Sequence, residues 1–329
     1  MKRLAKLSSG ENCVKVSISV HTAGALYVSS AGGSSVHRFS SSLRPEAQYT
    51  AQCDEDRRTD CTACPSNLAD PVTTADHLNA TSVVRLDSTS GQLLVCGGRC
   101  GHCAVLNTSD PDPRLRALDR TSSAGHVASR VAGARAVMVF SAVNSTAADV
   151  TLPASRLFVA GATADDAEAV SVRERSPPTA SAGFDAVGRR SFASDALADS
   201  YRFSAALDAG DGFVYFVALR RRQRAPVREM RLVRLCRDDV GRLDSYAELT
   251  LTCVLQTART AALDVPVTAH VAPVGARLAR RFQLEAGEPA IYLVAEAHEP
   301  PAASDDDDDD DRWTSGICVY TMQQVTYIH

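Results

Sequence analysis

Apolar residues along this chain come in short runs separated by polar turns, and most runs alternate with a period of two. "VKVSIS" (14–19) alternates Val and Ile with polar residues, and "GALYVSS" (24–30) follows after a brief turn. "SVVRLDSTSGQLLVCGG" (82–98) reads as a hairpin, two apolar runs around an Asp-Ser-Thr-Ser-Gly turn. "AVMVFSA" (136–142) and "SRLFVAGA" (155–162) make a second pair. "GFVYFVAL" (212–219) is apolar throughout, as expected of a strand buried on both faces. A loop with Pro226 leads to "MRLVRLC" (230–236), and "AIYLVAEA" (290–297) and "GICVYTM" (316–322) close the series. In "YAELTLTC", Leu249, Leu251 and Cys253 share one face and Glu248, Thr250 and Thr252 the other, which predicts a half-buried strand. Helical periodicity is confined to "PVGARLARRFQLEAG" (273–287) and, more weakly, to the Ala-rich stretch 190–200. Strands divided by Gly, Pro, Asp and Ser turns predict an all-β protein, a sandwich set or a propeller. The strand pairs recur at intervals longer than the ~40–45 residues of a simple WD repeat, and no Gly-His…Trp-Asp signature accompanies them.

Composition changes this picture little. The 329 residues are 45% hydrophobic and 22% charged, with net charge −4 and pI near 6.1, so no bias toward nucleic acid follows. The basic cluster Arg220-Arg221-Arg222-Gln223-Arg224 reads as a solvated hairpin tip. Seven consecutive aspartates in "EPPAASDDDDDDDRW" (299–313) repel one another and cannot bury apolar surface. A disordered acidic loop over 299–312, between two strands, is expected there. A calcium loop would need spaced ligands and a turn glycine. No run approaches the ~18 apolar residues of a membrane span, and "MKRLAKLSSGENC" has a basic start without the apolar stretch of a secretory signal.

The cysteines alter the reading more. There are ten, six of them between 53 and 103, and three N-x-[ST] sequons stand at Asn79, Asn107 and Asn144. Clustered cysteines with sequons favour an oxidising, extracellular setting. "CGHC" (Cys100 to Cys103) has the form of a dithiol exchange motif, but "AVLNTSDPDP" follows it, and no helix can start there to lower a thiol pKa. Cys61-x-x-Cys64 with Cys100-x-x-Cys103 has the form of a four-thiolate zinc site, yet thirty-five residues and a whole hairpin separate the pairs. Structural disulfides are the expected use. G-x-S-x-G, a Gly-rich phosphate loop and H-E-x-x-H are all missing, and the eight histidines lack ligand spacing. No enzyme, cofactor or small-molecule substrate is expected.

Read together, several stretches resemble the sema domain of plexins, the receptors for semaphorins. They are "GALYVSSAGGSSVHRFS", a strand, loop and second strand of the opening blade; "QCDEDRRTDCTACPSN", an early disulfide loop; "SGQLLVCGGRCGHCAVL"; "SRLFVAGA"; "RLCRDD…SYAELTLTC"; and "GICVYTM". "GFVYFVAL…MRLVRLC" departs from the family form, Met230 and Arg231 standing where the family has a small residue. The resemblance runs from about Val14 to Met322 and is most specific over 212–253. Semaphorins and Met-type receptors carry related domains and are alternatives, as is an intracellular propeller scaffold. "RDDVG" is close to the semaphorin turn, while the Ser-Tyr-x-Glu-Leu run and the Cys-Pro loop favour the receptor.

The resemblance implies an incomplete seven-bladed propeller over 1–329, with about four to five blades present and the remainder further downstream in a longer, membrane-anchored parent. It also implies disulfides Cys53–Cys64, Cys96–Cys103 and Cys253–Cys318, with the partner of Cys236 beyond His329. Cys61 and Cys100 depart from the common pattern and are expected to pair with each other, while Cys13 has no assigned partner. The implied function is binding of a semaphorin-type protein ligand in semaphorin–plexin signalling of the axon-guidance type, on the extracellular face of the plasma membrane. Contact is expected around 165–250, including Arg220, Arg221 and Arg222.

Overall fold

A computed structural model of the chain describes residues 16–20, 25–30, 35–50, 81–97, 102–108, 116–117, 136–147, 150–162, 168–175, 184–191, 200–222, 228–255, 261–297 and 315–326. Among these, antiparallel strands form five successive sheets. The first contains β1 (Val16–Val20), β2 (Leu26–Ser30), β3 (Ser35–Phe39) and β4 (Pro45–Thr50) in sequence order. The second contains β5 (Thr81–Asp87), β6 (Gln92–Gly97), β7 (His102–Asn107) and the short β8 (Arg116–Ala117). The third contains β9 (Ala136–Ala147), β10 (Val150–Ala162), β11 (Glu168–Arg175) and β12 (Phe184–Ser191). The fourth contains β13 (Ser200–Asp208), β14 (Phe213–Arg221), β15 (Arg228–Cys236) and β16 (Ala247–Leu251). A two-stranded ribbon, β17 (Val254–Leu255) with β18 (Ala261–Ala262), leads into the fifth sheet. That sheet contains β19 (Val265–Pro273), β20 (Pro289–Glu296) and β21 (Ser315–Thr321). Helix α1 (Ala276–Phe282) joins β19 to β20, and α2 (Met322–Thr326) follows β21.

The sheets stack in chain order because their central strands are apolar on both faces. Leu93 of β6 is buried toward the first sheet with Tyr27 and Val36, while Leu94 and Cys96 are buried with Met138 and Leu157 of the third. The same division recurs in β10, where Leu157 and Val159 face back and Phe158 and Ala160 face forward. In β14, Val214, Phe216 and Ala218 join the core shared with the third sheet, whereas Tyr215 and Val217 join Ile291, Leu293 and Ala295 of the fifth. Side chains alternate with period two, so a continuous apolar run fills two cores at once. Beyond the fifth sheet, α1 lays Ala279 against Val274 and Ala290. This is an all-β, propeller-like arrangement, each sheet packed on the next as a blade.

Polar groups lock neighbouring blades in register. Arg85 donates from Nε to the Met138 carbonyl across the second and third sheets at 2.6 Å, and Ser155 donates to buried Asp87 at 2.5 Å. Burial lowers the Arg85 pKa. Between the third and fourth sheets, Arg156 donates to the Arg237 carbonyl while Arg237 donates back to the Ala142 carbonyl, both at 3.1 Å. The turn after β15 also hooks onto β12. Gly241 donates to the Val187 carbonyl at 2.8 Å and accepts from the Arg189 amide at 3.0 Å. Gly241 holds φ at 83°, where glycine alone is unstrained. A Cβ on Gly188 would lie 2.9 Å from the Gly241 nitrogen.

Several expectations are met with shifted ends and some are corrected. The hairpin over 82–98 is β5–β6, closed by Asp87, which accepts from the Thr89 amide and the Ser90 hydroxyl. The helix over 273–287 shrinks to 276–282: Pro273 still pairs in β19, and Gln283 ends the helix in the left-handed region. The weaker helix over 190–200 is wrong at both ends, since Arg190 and Ser191 pair with β11 and Ser200 pairs with β14. Residues 192–199 between those ends lie outside the described residues. The Arg220–Arg224 tip is corrected in part, because Arg220 and Arg221 continue β14 as paired strand residues. The acidic stretch 299–312 lies outside the described residues, as do Cys13, Cys53, Cys61, Cys64, Cys100 and Asn79.

Two consequences are measurable. Replacing Gly188 by Ala drives its methyl into the Gly241 backbone and is expected to cost about 1–3 kcal/mol, read as a lower urea midpoint at unchanged slope. Cys253→Ser opens the Cys253–Cys318 loop of 65 residues, which is worth ~4 kcal/mol on the chain-entropy model. The same urea titration checks it, and the difference between variant and wild type is expected to disappear when both are measured under reducing conditions.

Candidate partner-binding site

Cysteine chemistry comes first, because it decides whether the molecule offers a reactive group. Cys96 and Cys103 lie directly opposite each other on β6 and β7 and are disulfide-bonded. Both are buried. Cys103 is thereby committed to a hairpin crosslink, so it serves neither a dithiol pair with Cys100 nor a zinc site in this structure. Cys253, just past β16, is bonded to Cys318 of β21, tying the fourth sheet to the fifth. Cys236 at the end of β15 is a free, half-buried thiol among the described residues. Among the described residues no three His, Cys, Asp or Glu side chains gather as metal ligands, and no helix is long and apolar enough to cross a membrane.

The richest grouping of polar side chains lies across the third and fourth sheets, around Glu248 of β16. Tyr201 donates to the Glu248 carboxylate at 2.8 Å, and the Tyr246 hydroxyl donates to the same oxygen. Arg220 and Arg231 approach its other oxygen at 3.8 and 4.0 Å. Glu229, opposite Arg220 in the β14–β15 register, pairs with Arg231 and with Arg222, the latter at 3.2 Å. Arg190 of β12 reaches over from the third sheet, its guanidinium 4.5 Å from the Tyr246 ring centre, and Arg220 lies 5.8 Å from that of Tyr201. Burial, and secondarily the bond to Glu248, pushes the Tyr246 pKa far above its ordinary value. The phenol therefore stays neutral and acts as a donor.

Charge is divided between the two ends of the fourth sheet. The end where β13 begins carries Arg202, Arg220, Arg221, Arg222, Arg228 and Arg231 with Glu229, and Glu248 lies mid-sheet opposite Val233. The opposite end and its turns carry Asp208, Asp211, Asp238, Asp239 and Asp244 against Arg234, Arg237 and Arg242. The acids there are largely consumed internally: Asp239 accepts from the Ser245 amide and hydroxyl, Asp211 accepts from Tyr215, and Asp208 pairs with Arg237. At the basic end Arg221 is exposed and the Arg222 side chain is 48% exposed, while exposed Arg190 lies beside the Gly241 turn at the opposite end.

The structure thus gathers Arg220, Arg221 and Arg222 at one strand end and adds residues that sequence pattern had not marked, above all Arg190, Tyr246 and Glu248. Their spacing in sequence, 58 positions from Arg190 to Glu248, offered no local signal. Asn107, at the exposed end of β7, and Asn144, in the β9 strand, lie on other sheets. Neither belongs to this cluster.

No protein-family model matches the chain, and no curated protein matches it. Among solved structures, the plexin A4 full extracellular region is similar in two forms. With domains 1 to 8, the TM-score is 0.69 at 17% identity, covering 95% of this chain and 34% of that one. With domains 1 to 10, the TM-score is again 0.69 at 17% identity, covering 95% of this chain and 27% of that one. The chain therefore spans about a third or less of the length of these structures. At this identity it is the fold that is shared, a plexin-like, sema-type propeller.

Proposed function

We propose that this chain is the ligand-binding module of a plexin-like cell-surface receptor, and that it binds a semaphorin-type protein. The observation that carries the reading is the match of its stacked sheets to the plexin A4 extracellular region over 95% of the chain. Two disulfides support an extracellular location, where such bonds form and persist. The module acts by recognition alone, and signalling belongs to parts of a longer, membrane-anchored protein. Its ligand lies against the strand ends around Arg220, Arg221 and Arg222. Strand-borne side chains on a disulfide-tied scaffold are already ordered before binding, so little conformational freedom is lost on association. In that setting Asn79, Asn107 and Asn144 carry N-linked glycans.

Surface plasmon resonance of the secreted chain against a panel of semaphorin ectodomains tests this reading. At least one is expected to bind, and Arg221→Glu with Arg222→Glu is expected to weaken it about tenfold or more, some 1.4 kcal/mol. Unchanged affinity for every semaphorin would remove this surface from the reading, and no binding at all would remove the reading itself. Glycosylation is checked separately. Asn107→Gln is expected to abolish one glycan step on a denaturing gel, with no change in the mobility of the enzymatically deglycosylated protein.

A further inference from the structure

Charges at the end of the fourth sheet where β13 begins divide between its two faces. Successive side chains alternate across a strand, and directly paired residues of antiparallel strands share a face. Tyr201, Arg220 and Glu229 form one such set, on the face turned to the third sheet, where Tyr201 and Val233 are buried. Ser200, Arg221 and Arg228 form the next set, on the other face with Val217 and Met230, which are buried against the fifth sheet. Arg202 lies on that same face opposite Leu219. The fifth-sheet side of this end therefore gathers Arg221 directly opposite Arg228, with Arg202 diagonal to Arg221.

Ser200, Arg202 and Arg221 are exposed, and Arg228 is half-buried. The fourth sheet places no acid among them, because Glu229 and Glu248 both lie on the opposite face, Glu248 opposite Val233. Arg202 and Arg228 have further contacts that hold them in place. Cross-strand neighbours have Cβ atoms ~5 Å apart and diagonal neighbours ~7–8 Å. Like charges directly opposite each other destabilise the pairing, so Arg221 beside Arg228 is a cost that an anion lying over both removes. A tetrahedral oxyanion fits the spacing, since charge-assisted hydrogen bonds of ~2.8 Å reach it from each side. Each planar guanidinium presents two parallel donors to such a group, and Ser200, opposite Arg221, adds a hydroxyl. One carboxylate would balance a single arginine of the three, whereas a doubly charged anion balances more. Strand pairing on both sides of Arg221 orders this backbone before anything binds.

We propose that Arg202, Arg221 and Arg228, with Ser200, form a binding site for a phosphate- or sulfate-type oxyanion on the side of the fourth sheet that faces the fifth. The group arrives as the free ion or as an ester on a larger molecule. This goes beyond the protein-ligand reading and does not depend on it.

The thermal midpoint of the full chain, followed by circular dichroism while inorganic sulfate replaces chloride at constant ionic strength, tests the site. A saturable rise is expected. Arg221→Gln and, separately, Arg202→Gln are each expected to raise the half-saturating sulfate concentration about tenfold, because each removes one charge-assisted partner. Arg221→Lys keeps the charge and loses the planar fork, and is expected to fall between. The control variant, Arg242→Gln with Arg281→Gln, lies in the β15–β16 turn and on α1 and is expected to titrate as wild type. The spectrum before melting confirms that each variant is folded. Phenyl sulfate and phenyl phosphate distinguish the two sources. A saturable rise with them as well assigns the site to an ester group on a larger ligand, and a rise with the inorganic ion alone assigns it to the free ion. A rise that never saturates, an equal loss in the control variant, or an equal rise with acetate overturns the proposal. No semaphorin is present in this titration, so its failure and the failure of the semaphorin panel are separate results.

Discussion

The constraint on which this architecture depends is that each central strand must be apolar on both faces. Phe216 and Tyr215 are adjacent in sequence and fully buried, yet they lie in different cores. Phe216 packs with Phe158 and Phe203, and Tyr215 with Leu232 and Ile291. Neither core exists without the sheet on its own side. Stability is therefore built from interfaces between neighbours, and a polar substitution on one face weakens one interface while leaving the other face packed. The same logic explains why polar crosslinks appear between sheets. Hydrophobic packing resists separation but is not directional, so the Arg156–Arg237 exchange and the Gly188–Gly241 hook set the register of one blade against the next.

Those crosslinks also separate what the two ends of the fourth sheet do. Asp239, Ser245 and Cys236 close the turn on one side, where Ser245 accepts from the Cys236 amide and donates to Asp239. Carboxylates there are used up in holding the chain. At the other end Glu229 is shared between Arg222 and Arg231, and Arg221 and Arg222 are exposed. One sheet thus has a structural end and an end with charge available for recognition. One disulfide lies within a hairpin and the other ties blades four and five.

Much of the fold was legible because buried strands write a clear pattern. "GFVYFVAL" reads as doubly buried and is the second strand of its sheet. The face carrying Leu249, Leu251 and Cys253 packs into the core, as alternation requires. Strands on the outer side of a blade were harder to see. β12, "FDAVGRRS", has few apolar residues because it pairs with β11 on one side and meets only the Gly241 turn on the other. Its polar composition is that of a loop, and only backbone pairing makes it a strand. Arg190 and Ser191, expected to open a helix, are the end of this strand instead.

By itself the sequence determined the all-β class, the position of the doubly buried strands and the oxidising chemistry of the cysteines, because periodicity and residue type act over a few neighbouring positions. It also contained the resemblance to plexin sema domains, spread over motifs from Val14 to Met322. Only the tertiary structure decided which side chains meet. Arg190 reaches Tyr246 because two blades pack together, and Glu248 gathers two tyrosines and two arginines from three other strands and the turn before its own. A carboxylate 58 positions away has no voice in local pattern; it acts through distance, and distance is set by the stacking of the sheets.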